Sequence, residues 1–492
     1  MQKYILSNRE DSNATRLLGI LNAFYLAKKL NTKAFFTWIE VEEAAKKYNR
    51  DIKLYTNKNF QGQKIISCNN DTKEEVFAKD FLDRHCILQN KVTSLMTFYP
   101  HVNMKNIKTY PANINNLEKF KELFEKENYD YFEAPFEMRY SWDIDEEDYL
   151  AQINQIWQNI GFHSKIKELI QKATLKAKEL GDFCAIHIRN SDTVYSYAPF
   201  RKQNLETIYH ATPYELAYHI IKEEAKRQNV IIFTDDISSV EHLLKALNLT
   251  NVYLANDFRD FNTLSQTQML LYDVSLMSFA NKIYGTHSSV ARLATCLNSK
   301  SKQIDPHSFF TKKQRYNIIK QNYSLLNLHP DQKAYSLFYL FVTGGGIEEI
   351  EFGDKGKRNF LNSKKLIELQ SYLEEALKLD YDNDKYRIYI INTLFRRGKI
   401  KEANTLLGEY LKERGNEFLN LLISGESEKI YLGKATFHKL LLNYQIYNKT
   451  KYENIAKIAE LSLNKMPKYL HKKRYKIYLG RILSFTPLRC YF

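Results

Sequence analysis

The chain has 492 residues, 44% of them apolar, and 72 Lys and Arg against 57 Asp and Glu, a formal net charge of +15. That length exceeds a single core and implies about two to four domains. No run reaches the roughly 18 apolar residues of a membrane span, and the start MQKYILSNRED lacks a basic region followed by an apolar run, so no secretory signal is expected.

The cysteines (Cys68, Cys86, Cys184, Cys296, Cys490) are scattered and odd in number, with no CxxC pair. This argues against a disulfide framework or a structural zinc site and fits a reducing cytoplasm. The positive charge is uneven: Ser462 to Phe492 holds eight Lys and Arg and no acid. An all-over nucleic-acid binder would spread its charge, so no nucleic-acid partner is expected.

In chain order, TRLLGILNAFYLAKKL reads as an amphipathic helix and KAFFTWI as a strand. Signals from Ile39 to Tyr140 are mixed, with enough short elements to complete an α/β domain. In SWDIDEEDYL, Asp143 and Asp145 mimic a metal-binding DxD pair. Polar residues precede them and a helical run follows, so acids in a first helical turn account for them better. IGFHSKIKELIQKATLKAKEL is a long helix leading into the most legible region.

There FCAIHIR, NVIIFT, NVYLAN and KIYGT read as buried strands. They alternate with the helices TPYELAYHIIKEEAKRQ (Thr212 as N-cap, Pro213 in the first turn), DISSVEHLLKAL, TLSQTQMLLYDVSLMSFA and SSVARLATCL. Such alternation predicts a parallel sheet with helices on its faces, and ligands in such sheets lie outside the carboxyl ends of the strands.

Those ends carry the chemistry. Arg189 ends the first strand, where its planar fork suits a phosphate; pairing with Asp192 or a helix end is the structural alternative. His187 is either part of the site or packed. Asp235 and Asp236 end the second strand, placed to bond sugar or ribose hydroxyls, with helix capping as the alternative for Asp236. Gly285, Thr286, His287, Ser288 and Ser289 form a strand-to-helix turn whose amides and hydroxyls suit an anion. Asp273 lies among apolar neighbours and needs a partner, either a guanine base or a nearby Lys or Arg.

The order HIRNSDTV, VIIFTDD, LLYDVSLMS, YGTHSSVARLA resembles the fucosyltransferase clan of GT-B fold, especially the α-1,6 and nodulation-type enzymes. The likeness covers about residues 180–300 and extends weakly to TRLLGILNAFYLAKKLNTKAFFTW and IGFHSKIKELI. It implies two Rossmann-like α/β domains and a GDP-sugar donor, with fucose or a related sugar passing to a glycan acceptor. Transfer would be inverting, with no metal and no cofactor, arginine and helix-end amides stabilising the leaving diphosphate.

By the same resemblance Arg189 grips the β-phosphate, the His187 main chain and the Asp273 side chain hold guanine, and Ser288 or Ser289 bonds the pyrophosphate. Asn190 stands where the family has a second arginine, Tyr197 falls where some members place a glutamate, and EDSNATR replaces a glycine-rich entry to the first helix. These departures bear on the donor sugar, which is fucose or a related one. Asp192, Asp11, Glu10, Glu133 and Glu137 are the candidate bases. A non-catalytic scaffold with a degenerate transferase domain and a helical binding module is the rival reading.

The expected organisation is an N-terminal α/β domain over 1–175, a nucleotide-sugar domain over 176–315 and a linker over 316–360. A helical domain over 361–462 resembles tetratricopeptide repeats and suits a protein partner, and a basic amphipathic tail spans 463–492. The tail suits an anionic membrane surface, consistent with a cytoplasmic protein peripheral on the inner membrane face.

Overall fold

The computed structural model describes residues 2–9, 12–38, 59–60, 62–64, 71–87, 107–108, 114–195, 207–298, 302–346, 361–423, 452–455 and 457–458. They fall into two compact units, 1–198 with 209–328, and 199–208 with 329–492.

The first unit contains two parallel sheets. The first is built from β1 (Tyr4–Ser7), β2 (Ala34–Phe36), β3 (Ile107–Lys108) and β4 (Tyr131–Glu133) in the order β2-β1-β4-β3. Helix α1 (Asn13–Lys29) follows β1 and is buried along most of its length, because its residues are apolar on almost every side. Helices α2 (Glu146–Asn159) and α3 (Ser164–Leu180) then lead to the second sheet. Asp145 accepts a hydrogen bond from Asp148 N at 3.1 Å and caps α2, the first-turn role expected for this acidic run.

The second sheet contains β5 (Phe183–Ile188), β6 (Asn229–Thr234), β7 (Val252–Leu254), β8 (Lys282–Gly285) and β9 (Gln303–Ile304), in the order β9-β8-β5-β6-β7, all parallel. Between the strands run α4 (Tyr214–Glu224), α5 (Ile237–Leu247), α6 (Gln266–Met277) and α7 (Ser289–Cys296), and α8 (Lys312–Asn322) follows β9. Every residue of β5 is buried, as a central strand covered on both faces requires. The cap of α4 is Pro213, one residue later than expected, and its side chain makes no capping bond. The α/β class anticipated from the sequence, with two parallel layers in succession and helices after them, is the one observed.

Winding reverses beside β1 in the first sheet and beside β5 in the second. The switch points are therefore β1/β4 and β5/β8, where open α/β sheets leave a crevice at the carboxyl ends.

The second unit is helical: α9 (Pro330–Thr343), α10 (Ser363–Leu379), α11 (Asp384–Arg396) and α12 (Ile400–Ile423), the last broken at Gly415 with φ 57°. Phe338 and Phe341 of α9 pack on Tyr389 of α11 at 5.5 and 5.2 Å between ring centroids. The expected linker over 316–360 is therefore overlaid by the end of α8 and all of α9. The run AYSLFYLFVT is apolar on all sides and is buried as core. Residues 347–360 and the basic tail lie outside the described residues. No helix among the described residues is long and apolar enough to cross a membrane.

Candidate active site at the sheet switch points

The turn after β5 is held by side chains on every side. Asn190 is fully buried and exchanges two hydrogen bonds with Thr212: its Nδ2 donates to Thr212 O at 2.8 Å and its Oδ1 accepts from Thr212 N at 2.9 Å. Asp235 Oδ1 accepts from the backbone N–H of Asn190 at 2.8 Å and of Ser191 at 3.1 Å. The residue in the place of the family's second arginine is thus a fastener. With Asp235 it fixes the backbone just after Arg189, which is half-buried at the carboxyl end of β5. The side chain of Asp192 lies outside the described residues.

Asp236 takes the capping alternative. It accepts from Ser239 N at 3.2 Å and from the Tyr195 hydroxyl at 2.8 Å, and burial pushes its carboxyl above the usual range. Asp273 takes the arginine alternative. Arg259 donates from Nε to Oδ1 at 2.6 Å and from Nη2 to Oδ2 at 2.9 Å, with the two side chains 1% and 10% exposed. Both Asp273 oxygens are engaged, so a guanine is not required to account for this buried acid. His187 is buried, paired in register with Gly285 on one side and Phe233 on the other.

On the far side of the switch point, Thr286 Oγ1 donates to His210 O at 2.6 Å. Ser288 caps α7, accepting from Val290 N at 3.3 Å, and Ser289 opens the helix. His287 is 55% exposed, with Nδ1 against the Arg292 guanidinium and Nε2 at 3.6 Å from Asp305. The close approach of α7 to β8 depends on Gly285: a Cβ there would lie 2.8 Å from the Ala291 Cβ and 3.5 Å from the His187 Cβ. Neither neighbour is a flexible side-chain end, so Gly285→Ala is expected to cost about 1–3 kcal/mol of stability, read from urea unfolding.

The segment 210–212 crosses this end of the sheet, tied by Thr286, by Asn190 and by His307, whose Nε2 lies 3.0 Å from Ala211 O. Burial holds His307 far below the ordinary histidine range, at about 3. The bond to Ala211 O opposes this, and Arg315, His287 and His210 reinforce it. The unfolded chain protonates this ring near pH 6.5 while the folded one resists to about 3. Its contribution is therefore complete above pH 6.5 and lost as pH falls through that window, by up to about 1.4 kcal/mol per pH unit. Urea titrations between pH 7 and 4 check this, and His307→Asn should flatten the slope.

The two switch points meet. Ser12 Oγ at the start of α1 lies 3.0 Å from Ser289 Oγ, Asn13 Nδ2 donates to Thr267 Oγ1 at 2.9 Å, and Arg292 pairs with Glu137 beyond β4. The two helix starts have the same pattern, Ser12-Asn-Ala-Thr-Arg16 and Ser288-Ser-Val-Ala-Arg292. Both arginines are buried and lie over aromatic rings, Arg16 at 5.1 Å from Trp38 and Arg292 at 5.0 Å from Tyr140. Neither first turn contains an acid. Arg9 follows β1, buried, 4.0 Å over Phe136. Sequence reasoning passed over Arg9, Arg16 and Arg292; the repeated S-x-x-x-R after a strand was the available signal. Of the candidate bases, Glu133 is buried at the end of β4, Glu137 is engaged by Arg292, and Glu10 and Asp11 lie outside the described residues.

The site thus gathers two helix N-termini and several buried arginines at the carboxyl ends of two α/β sheets, an arrangement suited to anionic ligands. No protein-family model matches the chain, and no curated protein matches it. Among solved structures it is similar to the NodZ α-1,6-fucosyltransferase soaked with GDP-fucose, at 14% identity over 61% of this chain and 93% of the other, with a TM-score of 0.33. The same enzyme co-crystallised with GDP aligns at 15% identity over the same shares, with a TM-score of 0.33. The fucosyltransferase NodZ from Bradyrhizobium aligns at 14% identity over 63% and 98%, with a TM-score of 0.35.

Proposed function

We propose that the chain is a glycosyltransferase that moves a sugar, fucose or a related one, from a GDP-sugar to a glycan acceptor. The observation that carries this reading is that Arg189 and the helix start at Ser288–Ser289 follow the carboxyl ends of the adjacent strands β5 and β8. A second helix start, at Ser12, faces the same place. Two helix N-termini brought together without an acid in either first turn concentrate positive potential, which a diphosphate would neutralise.

In this reading Arg189 grips the β-phosphate, and the amides of α7 with Ser288 or Ser289 hold the diphosphate. The fixed cations and dipoles stabilise the charge that develops as the glycosidic bond breaks. Transfer is inverting, with the acceptor entering from the β1/β4 side, and needs no metal and no cofactor. The acceptor is a glycan of a bacterial surface polysaccharide or lipooligosaccharide. The helical unit serves a protein partner, and the basic tail rests on an anionic membrane face.

The test is thermal stabilisation of the full chain by GDP, UDP and CMP, with and without EDTA. A ligand at 100 times its Kd adds about 2.7 kcal/mol, which is readily seen. A GDP-selective, EDTA-insensitive shift is the expected result. A shift with UDP alone, or one needing metal, would overturn the donor assignment, and no shift with any nucleotide would favour the scaffold reading.

A further inference from the structure

We infer that α8, with an exposed apolar side chain beyond each of its ends, is a docking surface for an anionic lipid bilayer. This contact is built into the first unit, is separate from the basic tail, and does not depend on the donor assignment above.

From Pro306 to Pro330 the chain carries Lys312, Lys313, Arg315 and Lys320 and no Asp or Glu. The helix Lys312–Asn322 is firmly set. Thr311 and Gln314 cap its start reciprocally, at 2.9 and 3.3 Å, and Ile318 and Ile319 are buried beneath it where it packs on α4. The helical repeat puts Lys313, Asn317 and Lys320 on the opposite face, and all three are exposed. Lys312 and Lys313 stand in the first turn, where a cation opposes the helix dipole. Helix stability therefore does not account for them, and an anionic partner does.

Phe309, before the helix, and Leu325, after it, are each 55% exposed. Their neighbours do the packing. Phe310 meets His219 of α4 at 5.7 Å between ring centroids, and Leu326 and Leu328 join the core of the second sheet. Single exposed apolar residues are ordinary, but here two of them bracket a helix whose outer face is cationic. That combination suits a membrane interface, where apolar side chains enter the boundary between headgroups and acyl chains while lysines meet the anionic headgroups. A nucleic acid would use the lysines and leave Leu325 in water.

Co-sedimentation of the full chain with vesicles of phosphatidylcholine and phosphatidylserine, and of phosphatidylcholine alone, reads the contact. The chain is expected on the anionic vesicles only, and to be released in about 0.5 M salt, which screens exposed charges. Lys313→Gln with Lys320→Gln should weaken partitioning roughly 30-fold, at about fivefold per lysine. Phe309→Ser with Leu325→Ser should weaken it by roughly tenfold or more. In Leu325→Trp, vesicles with brominated acyl chains should quench fluorescence beyond the level seen for the native tryptophans. Every substituted side chain is exposed, so an unchanged melting temperature checks that each variant folds.

A folded lysine double variant that partitions like the unsubstituted chain would assign the contact to the tail and overturn the inference. So would no binding to anionic vesicles, or a Leu325→Trp chain that binds with no added quenching. Retention on RNA with the same lysine dependence, and none on vesicles, would make α8 a nucleic-acid contact instead. Failure to bind GDP would sink the donor assignment and leave this inference standing.

Discussion

Asp273→Ala is expected to destabilise the first unit by about 3–5 kcal/mol, among the largest effects a single side chain can have here. The substitution leaves the Arg259 guanidinium, 1% exposed, with two donors stripped of a carboxylate and no water to replace it. The loss comes mainly from stranding the cation, since burial already works against the charged form of Asp273 and pushes its carboxyl upward, with Arg259 opposing that push. The double variant Asp273→Leu with Arg259→Met should therefore recover most of the stability, because well-packed apolar residues commonly replace a buried pair at little cost. Urea unfolding of the three proteins reads this directly. A loss below about 1 kcal/mol for Asp273→Ala would mean that solvent reaches the pair.

Arg189→Ala is expected to weaken GDP by roughly 30- to 1000-fold, the equivalent of about 2–4 kcal/mol for a charge-assisted paired contact. The backbone just after this position is held by the bonds of Asn190 with Thr212 and Asp235. The fold should therefore survive, and the change should appear in binding while the melting temperature of the free protein stays within a few degrees. Arg189→Lys should recover only part of the affinity, because a point charge replaces a planar fork. An unchanged GDP affinity in Arg189→Ala would remove this residue from the site.

Much of the second sheet was legible before any coordinates. NVIIFT is the strand Asn229–Thr234, and FCAIHIR supplies Phe183–Ile188. The helix DISSVEHLLKAL agrees within a residue with Ile237–Leu247, and TPYELAYHIIKEEAKRQ contains Tyr214–Glu224 but runs four residues past its end; strands buried on both faces and helices packed on one face write different periods. The region from Ile39 to Tyr140 resisted the same treatment. Its described strands, such as Ile107–Lys108 and Tyr131–Glu133, are two or three residues long, too short to show any period.

Residue types at the strand ends were likewise readable, and so was the strand-to-helix turn at Thr286–Ser289. Partnership was not. Asn190 looked like a lost charge until Thr212, distant in sequence, was found to close on it, and Asp273 looked like a ligand group until Arg259 was found beside it. The Ser12 and Ser289 hydroxyls are far apart in the chain and meet only because α1 and α7 pack with their starts together. Periodicity and strand-end chemistry are local and can be read along the chain. Which charge neutralises which, and where two helix dipoles converge, depends on distances across the fold and emerges only from packing.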